Sequence, residues 1–168
     1  MAHEIILGVF PGDVEQGLTQ LKRYHEIQDE IGINDAVAIW KTDEGKDKFE
    51  WLGGKKKATE IGAIAGAALG LLGGPATMIV MGAGGAAAGN LIASLTHAGI
   101  SKKTISGVEK GLEPGSSAVL VVVDHGKHQV ILNDLKHLGA HLYSDTVDSD
   151  EVEGKYMISP VSGMGESQ

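Results

Sequence analysis

The chain has 168 residues, of which 42% are hydrophobic, and a formal net charge of -8. This length suits one domain or a small domain with an insertion, and the acidic balance argues against a nucleic-acid partner, because phosphates require a basic surface. The absence of cysteine excludes disulfides, thiolate metal sites and a cysteine nucleophile. The N-terminal residues lack the basic and long apolar regions of a signal peptide, so we expect a cytoplasmic location.

The first third of the chain alternates strand and helix patterns. Residues 4–10 are apolar and end at a Pro-Gly pair, which predicts a buried strand. An apolar stripe with roughly helical spacing predicts a helix over about 13–32. Residues 36–41 and 46–52 then predict two strands of a hairpin.

The last third repeats this alternation. A short helix is predicted over about 105–112, where apolar residues recur at helical spacing before a Pro-Gly pair. Residues 118–123 predict a strand, 128–138 a helix and 140–147 a final strand.

Two β-α-β units of this length predict an α+β fold of the ferredoxin-like type, a split β-α-β sandwich. The α+β domain would comprise residues 1–54 and 100–147. A glycine-rich antiparallel helical hairpin would be inserted at 55–99, and an acidic and polar tail would follow at 148–168.

The two most continuously apolar strands, at 5–10 and 118–123, are those expected at the centre of such a sheet. Continuous apolar character means that both of their faces are dry, yet the two helices of this fold cover only one face. A second subunit or the inserted helices folding back must cover the other face, and the sequence leaves both open. We expect a homo-oligomer.

The insertion has no charged residue between Glu60 and Lys102. A Gly-Gly-Pro break at 73–75 divides it into predicted helices over about 57–73 and 76–97. Each helix presents small residues on one side, where a second backbone can approach closely. The residues predicted to form this glycine zipper, in contact with other helices or with lipid, are Gly62, Gly66, Gly70, Gly74, Gly82, Gly85, Gly89 and Ala93.

The flanks of the hairpin favour a membrane with both ends on its cytoplasmic side. The residues predicted to flank the membrane are Trp51, Lys55, Lys56, Lys57, Lys102 and Lys103. At about 1.5 Å per residue the helices reach roughly 25 and 33 Å, against a hydrocarbon core of about 30 Å. The few large apolar residues of the first helix contribute only roughly -2 kcal/mol to insertion. Lipid insertion and soluble packing of the hairpin both remain open.

Other motifs predict no site. The run Gly82 to Ala87 matches the G-x-G-x-x-A dinucleotide fingerprint. No acidic residue lies between this run and Glu109, so none stands at the position that would bind a ribose. The histidine pairs lack partners at spacings that bind metals. We therefore predict no catalytic residue, no cofactor and no metal ion.

Residues 99–102, Gly-Ile-Ser-Lys, lead through 112–118, Leu-Glu-Pro-Gly-Ser-Ser-Ala, into the apolar strand at 119–123. With this passage the chain resembles the bacterial family catalogued as domain of unknown function 1269, from the first strand to about Val147. The resemblance implies a glycine-rich hydrophobic hairpin between the halves of a small α+β domain, in a predicted membrane protein without assigned activity. It supplies no catalytic residues. The hairpin here is poorer in Leu and Phe than a typical membrane span.

These patterns predict a non-enzymatic, self-associating protein whose hairpin mediates oligomeric assembly at or in a membrane. Its partners would be copies of itself and a lipid bilayer. The alternative is a soluble homo-oligomeric domain that binds a small ligand, or acts as a weak enzyme, at the sheet face or at a subunit interface.

Overall fold

The fold is an α+β arrangement around one antiparallel sheet. It is seen in a computed structural model that describes residues 2–54 and 99–148, with positions 65, 66, 68, 70, 72 and 96 between them. The strands of the described ranges are β1 (Ala2–Phe10), β2 (Ile33–Lys41), β3 (Asp47–Trp51), β4 (Ser117–Asp124) and β5 (His141–Asp148). The helices of these ranges are α1 (Gln16–Ile31), α2 (Lys102–Glu109) and α3 (His128–His137). The predicted α+β class is confirmed.

The sheet has the strand order β3-β2-β4-β1-β5, and every neighbouring pair is antiparallel. β4 lies in the middle, and beside it β1 places Ile5 opposite Val122 and Leu7 opposite Leu120. Every residue of β4 except the last is buried. Strands that are covered on both faces need apolar residues at every position, not at alternate ones. β1 and β4, the two strands predicted at the centre of the sheet, are neighbours there, and neither is an edge strand.

The ends of α1 differ from the prediction by a few residues for a visible reason. Asp13 stays outside the helix, and its Oδ1 accepts the N–H groups of Glu15 and Gln16 at 3.2 and 3.1 Å. At the other end Gly32 adopts φ 69°, which ends the helix in a left-handed residue. β2 therefore begins at Ile33, earlier than predicted.

α1 and α3 pack on the same face of the sheet, which we call the first face. α1 lies close to β4 because Gly17 has no side chain: its N–H donates to Ser117 Oγ at 2.9 Å, and a Cβ there would lie 2.7 Å from the Ala118 carbonyl oxygen. The buried residues of this face are Ile6, Phe10, Leu21, Tyr24, Ile33, Ala36, Ala38, Leu52, Val119, Val121, Val123, Ile131 and Leu135.

Candidate functional site

The opposite side of the sheet, the second face, is the candidate site, because the glycine-rich insertion meets the α+β domain there. Three positions of the insertion, Ala65, Ala68 and Leu72, belong to the buried cluster of this face. The sequence did not decide whether a second subunit or the insertion covers this face. In the structure the described positions of the insertion pack on it within the same chain. The other main members of the cluster are Ile5, Leu7, Val37, Ile39, Trp51, Ile105, Val108, Ala118, Leu120, Val122 and Val147.

α2 covers the second face beside the insertion. It begins at Lys102, earlier than predicted, because the N–H of Thr104 donates to Ser101 Oγ at 3.3 Å. The Thr104 hydroxyl donates to Asp145 of β5 at 2.5 Å, which ties the helix to the edge strand. Gly107 lies on the ring of Tyr143, so closely that a Cβ would overlap the ring.

A backbone hydrogen bond ties the insertion to the chain that follows α2. The carbonyl oxygen of Leu72 accepts the N–H of Leu112 at 3.2 Å. Gly111 adopts φ 72° beside it, and a Cβ there would lie 3.3 Å from the same oxygen. The end of the first predicted insertion helix is therefore held by the turn between α2 and β4.

The predicted seam residues Gly66 and Gly70 are helical and buried, as are Ala65, Ala68 and Leu72. An α-helix turns about 100° per residue, so the three positions that pack on the sheet lie within about 60° of one another. By the same spacing, the mean direction of Gly66 and Gly70 lies about 150° around the helix axis from the mean direction of these three positions. The two glycines therefore lie on the side of the helix that points away from the sheet.

The contact between the insertion and the sheet is dry. The gap between them, lined by Leu7, Val37, Ala68, Leu72 and Val108 among others, has no room for a water molecule. Apolar surfaces that meet without water stabilise a fold through burial and dispersion. This part of the second face is therefore a packing surface with no space for a small ligand.

The predicted flanking residues lie in different surroundings. Trp51 ends β3, is 7% exposed and packs in the second-face cluster. Lys102 and Lys103 are exposed in the first turn of α2. The predicted seam and flanking residues outside the described positions are Lys55, Lys56, Lys57, Gly62, Gly74, Gly82, Gly85, Gly89 and Ala93. The membrane role of all these residues stays a prediction. Of the predicted tail at 148–168 the structure describes only Asp148, which is the last residue of β5.

Sequence reasoning missed the buried carboxylate of β1. The side chain of Glu4 in β1 is 6% exposed, and its Oε2 lies 2.8 Å from Nδ1 of His125, whose side chain is 66% exposed. The Thr146 hydroxyl donates to both Glu4 oxygens at 3.1 Å. A buried carboxylate requires such partners. The signal was a single acidic residue in an apolar strand, but its partner lies 121 positions away in the sequence.

The comparison with known families decides one point. The family described as protein of unknown function (DUF1269) matches residues 59–154, more than half of the chain. The chain belongs to this family. The DUF1269 match begins inside the insertion and continues past β5, so it is shorter at the N-terminus than the resemblance predicted. Comparison with curated proteins and with solved structures gave no match.

Two absences concern the described residues alone. No helix among them is long and apolar enough to cross a membrane. The same residues hold no group of three or more side chains of His, Asp or Glu arranged to bind a metal ion.

Proposed function

We propose that this member of DUF1269 is a non-enzymatic, self-associating protein. In this proposal residues 55–99 form a glycine-zipper helical hairpin on a ferredoxin-like α+β domain, and the hairpins of several copies pack together at the cytoplasmic side of a membrane. The strand order supports the ferredoxin-like part: without the edge strand β3 it is β2-β4-β1-β5, with the edge positions taken by the second strand of each β-α-β unit.

One observation carries the proposal. Ala65, Ala68 and Leu72 pack on the sheet, whereas Gly66 and Gly70 lie on the opposite side of the same helix. A helix that only had to cover the sheet would not need two glycines on its outer side, where each costs about 1 kcal/mol relative to alanine. Glycines at this spacing allow a second helix to approach closely. The outer side is therefore suited to close packing of a further helix. Both glycines are already buried within the single chain, so in this proposal each hairpin packs closely on itself and several such hairpins then associate.

The first test measures the size of the full-length protein by size-exclusion chromatography with light scattering. We expect an oligomer in the wild type and a smaller particle in the variant Gly66→Leu plus Gly70→Leu, because the leucine side chains keep helices apart. The matched control, Gly66→Ala plus Gly70→Ala, keeps small side chains and should retain the wild-type size. Circular dichroism of each variant shows whether the α+β domain is still folded.

Two outcomes would refute self-association through the seam. A wild type that is monomeric across the concentration range contradicts self-association itself. A folded leucine variant that keeps the full particle size shows that other surfaces hold the copies together.

The membrane part of the proposal depends on exposed lysines at the base of the hairpin. Lys102 and Lys103 are both exposed, and basic residues near anionic lipid each contribute about 1 kcal/mol. The variant Lys102→Gln plus Lys103→Gln should bind vesicles of anionic phospholipid at least tenfold more weakly. The control Lys46→Gln plus Lys48→Gln changes the charge equally at the exposed β2–β3 hairpin. Equal losses in the two variants, or no wild-type binding, would contradict a membrane location.

The alternative function, a ligand-binding domain, is favoured by a separate observation. A groove lies on the first face beside α1, remote from the dry second face.

A further inference from the structure

The groove is formed where the start of α1 passes the end of β2. It has a volume of about 440 Å³, which lies in the range of small-molecule sites. Val14, Leu18 and the half-buried Trp40 provide its apolar surface. Trp40 pairs with Ser117 on one side and with Lys48 of the edge strand on the other. Gly17 allows α1 to pack closely on β4, and the groove lies beside this contact, next to Trp40.

The charges around the groove are mainly negative. Glu15, Asp43 and Glu44 line it together with a single cation, Lys22. In the ranges that the structure describes, none of these three carboxylates forms an ion pair or a side-chain hydrogen bond. A cation entering the groove would therefore meet carboxylates that have no competing partner.

Three backbone N–H groups at the start of α1 are not available to an anion, although a helix begins here. The free N–H groups of a helix N-terminus usually attract anions. In α1 the N–H groups of Glu15 and Gln16 already donate to Asp13, and that of Gly17 donates to Ser117. The groove thus combines an aromatic ring and aliphatic side chains with acceptors for a positive charge.

We propose that this groove binds a small organic ammonium ion that carries an aromatic or aliphatic group. The apolar group packs on Trp40 and Leu18, and the ammonium group lies among the carboxylates or over the indole ring, where a cation is attracted by the π-system. This site lies on the first face and is independent of the proposed self-association of the insertion.

The test uses 2-phenylethylammonium as the probe and the full-length protein labelled with nitrogen-15. The indole N–H signal of Trp40 should shift with a saturable, millimolar dissociation constant. The signal of Trp51, buried on the second face, should stay in place and serves as the internal control. The neutral 2-phenylethanol should bind at least fivefold more weakly, and the anionic 3-phenylpropionate more weakly still. Added salt should weaken binding of the amine.

A pair of charge variants locates the site. Asp43 and Glu44 are exposed, so Asp43→Asn plus Glu44→Gln should leave the fold intact and weaken amine binding roughly threefold to tenfold. The matched control is Asp29→Asn plus Glu30→Gln, at exposed positions about 20 Å farther along α1, and it should change binding less than twofold.

Three results would overturn the proposal. The alcohol could bind as tightly as the amine, the two tryptophan signals could shift together, or both charge variants could weaken binding equally. The first would show that charge has no role, the second that the probe does not bind selectively at the groove, and the third that only net charge matters.

Discussion

Leu72→Ala tests whether the insertion is an integral part of the folded domain. Leu72 is 3% exposed and packs on the sheet residues of the second face. Truncation of a fully buried leucine removes apolar contacts and leaves a cavity, which together cost about 3 kcal/mol. The gap beside Leu72 is too narrow for water and its lining residues are apolar, so water would not fill the cavity left by the truncation and would not offset the loss. We therefore expect the free energy of unfolding to fall by about 3 kcal/mol.

Urea denaturation, followed by far-UV circular dichroism, measures this difference. Leu120→Ala is the positive control, because Leu120 lies in the central strand of the same face and is 4% exposed. Val130→Ala is the negative control, because Val130 is 56% exposed on α3, and it should change stability by less than about 0.5 kcal/mol.

The position of Leu72→Ala between the two controls decides the question. A cost close to that of Leu120→Ala means that the insertion and the sheet unfold together. A cost close to that of Val130→Ala would show that the insertion does not stabilise the sheet, and the reasoning on the second face would be wrong.

Two further predictions concern the first face. Gly17→Ala should lower the free energy of unfolding in urea by about 2 kcal/mol, because its Cβ would meet the Ala118 carbonyl oxygen. Gly126→Ala is the control, since nothing lies within 4 Å of its Cβ and only the positive φ is strained. A cost at Gly17 no larger than the cost at Gly126 would contradict this prediction. Tyr24 is buried and donates to Asp134 at 2.6 Å; burial, with that hydrogen bond, raises the pKa of its phenol above the ordinary value. The stabilisation from the neutral phenol is complete below about pH 10 and is lost as the pH rises further. Tyr24→Phe should therefore cost about 1–2 kcal/mol at pH 7, and its stability difference from the wild type should shrink above pH 10; a difference that stays constant to pH 11 would contradict the assignment.

The sheet was predictable because its signal is local. The continuous apolar runs of β1 and β4 indicate strands that are dry on both faces. The strand ends were less predictable, because they depend on single contacts. The early start of α2, for example, follows from the bond between Ser101 and Thr104, which the apolar spacing does not reveal.

The cover of the second face was not predictable from residue types. Ala65 and Ala68 carry little hydrophobic signal, and their packing depends on the apolar sheet surface that they meet. Trp51 shows the same limit. Its place beside a lysine run is typical of a membrane interface, but it also follows Phe49 in the alternation of β3, which directs both side chains to the second face. The partner of Glu4 was missed because His125 lies 121 positions away in the sequence.

The packing of the insertion also restricts how a membrane can be involved. The helix that contains Ala65, Ala68 and Leu72 cannot cover the sheet and lie in lipid at the same time. Its insertion would gain roughly 2 kcal/mol from its large apolar residues. Its departure would expose Leu7, Val37 and Leu120, at a cost of up to about 2 kcal/mol each. Even half of that cost exceeds the gain, so the docked arrangement is favoured. In the proposed membrane-bound state this helix therefore stays on the sheet and does not enter the lipid.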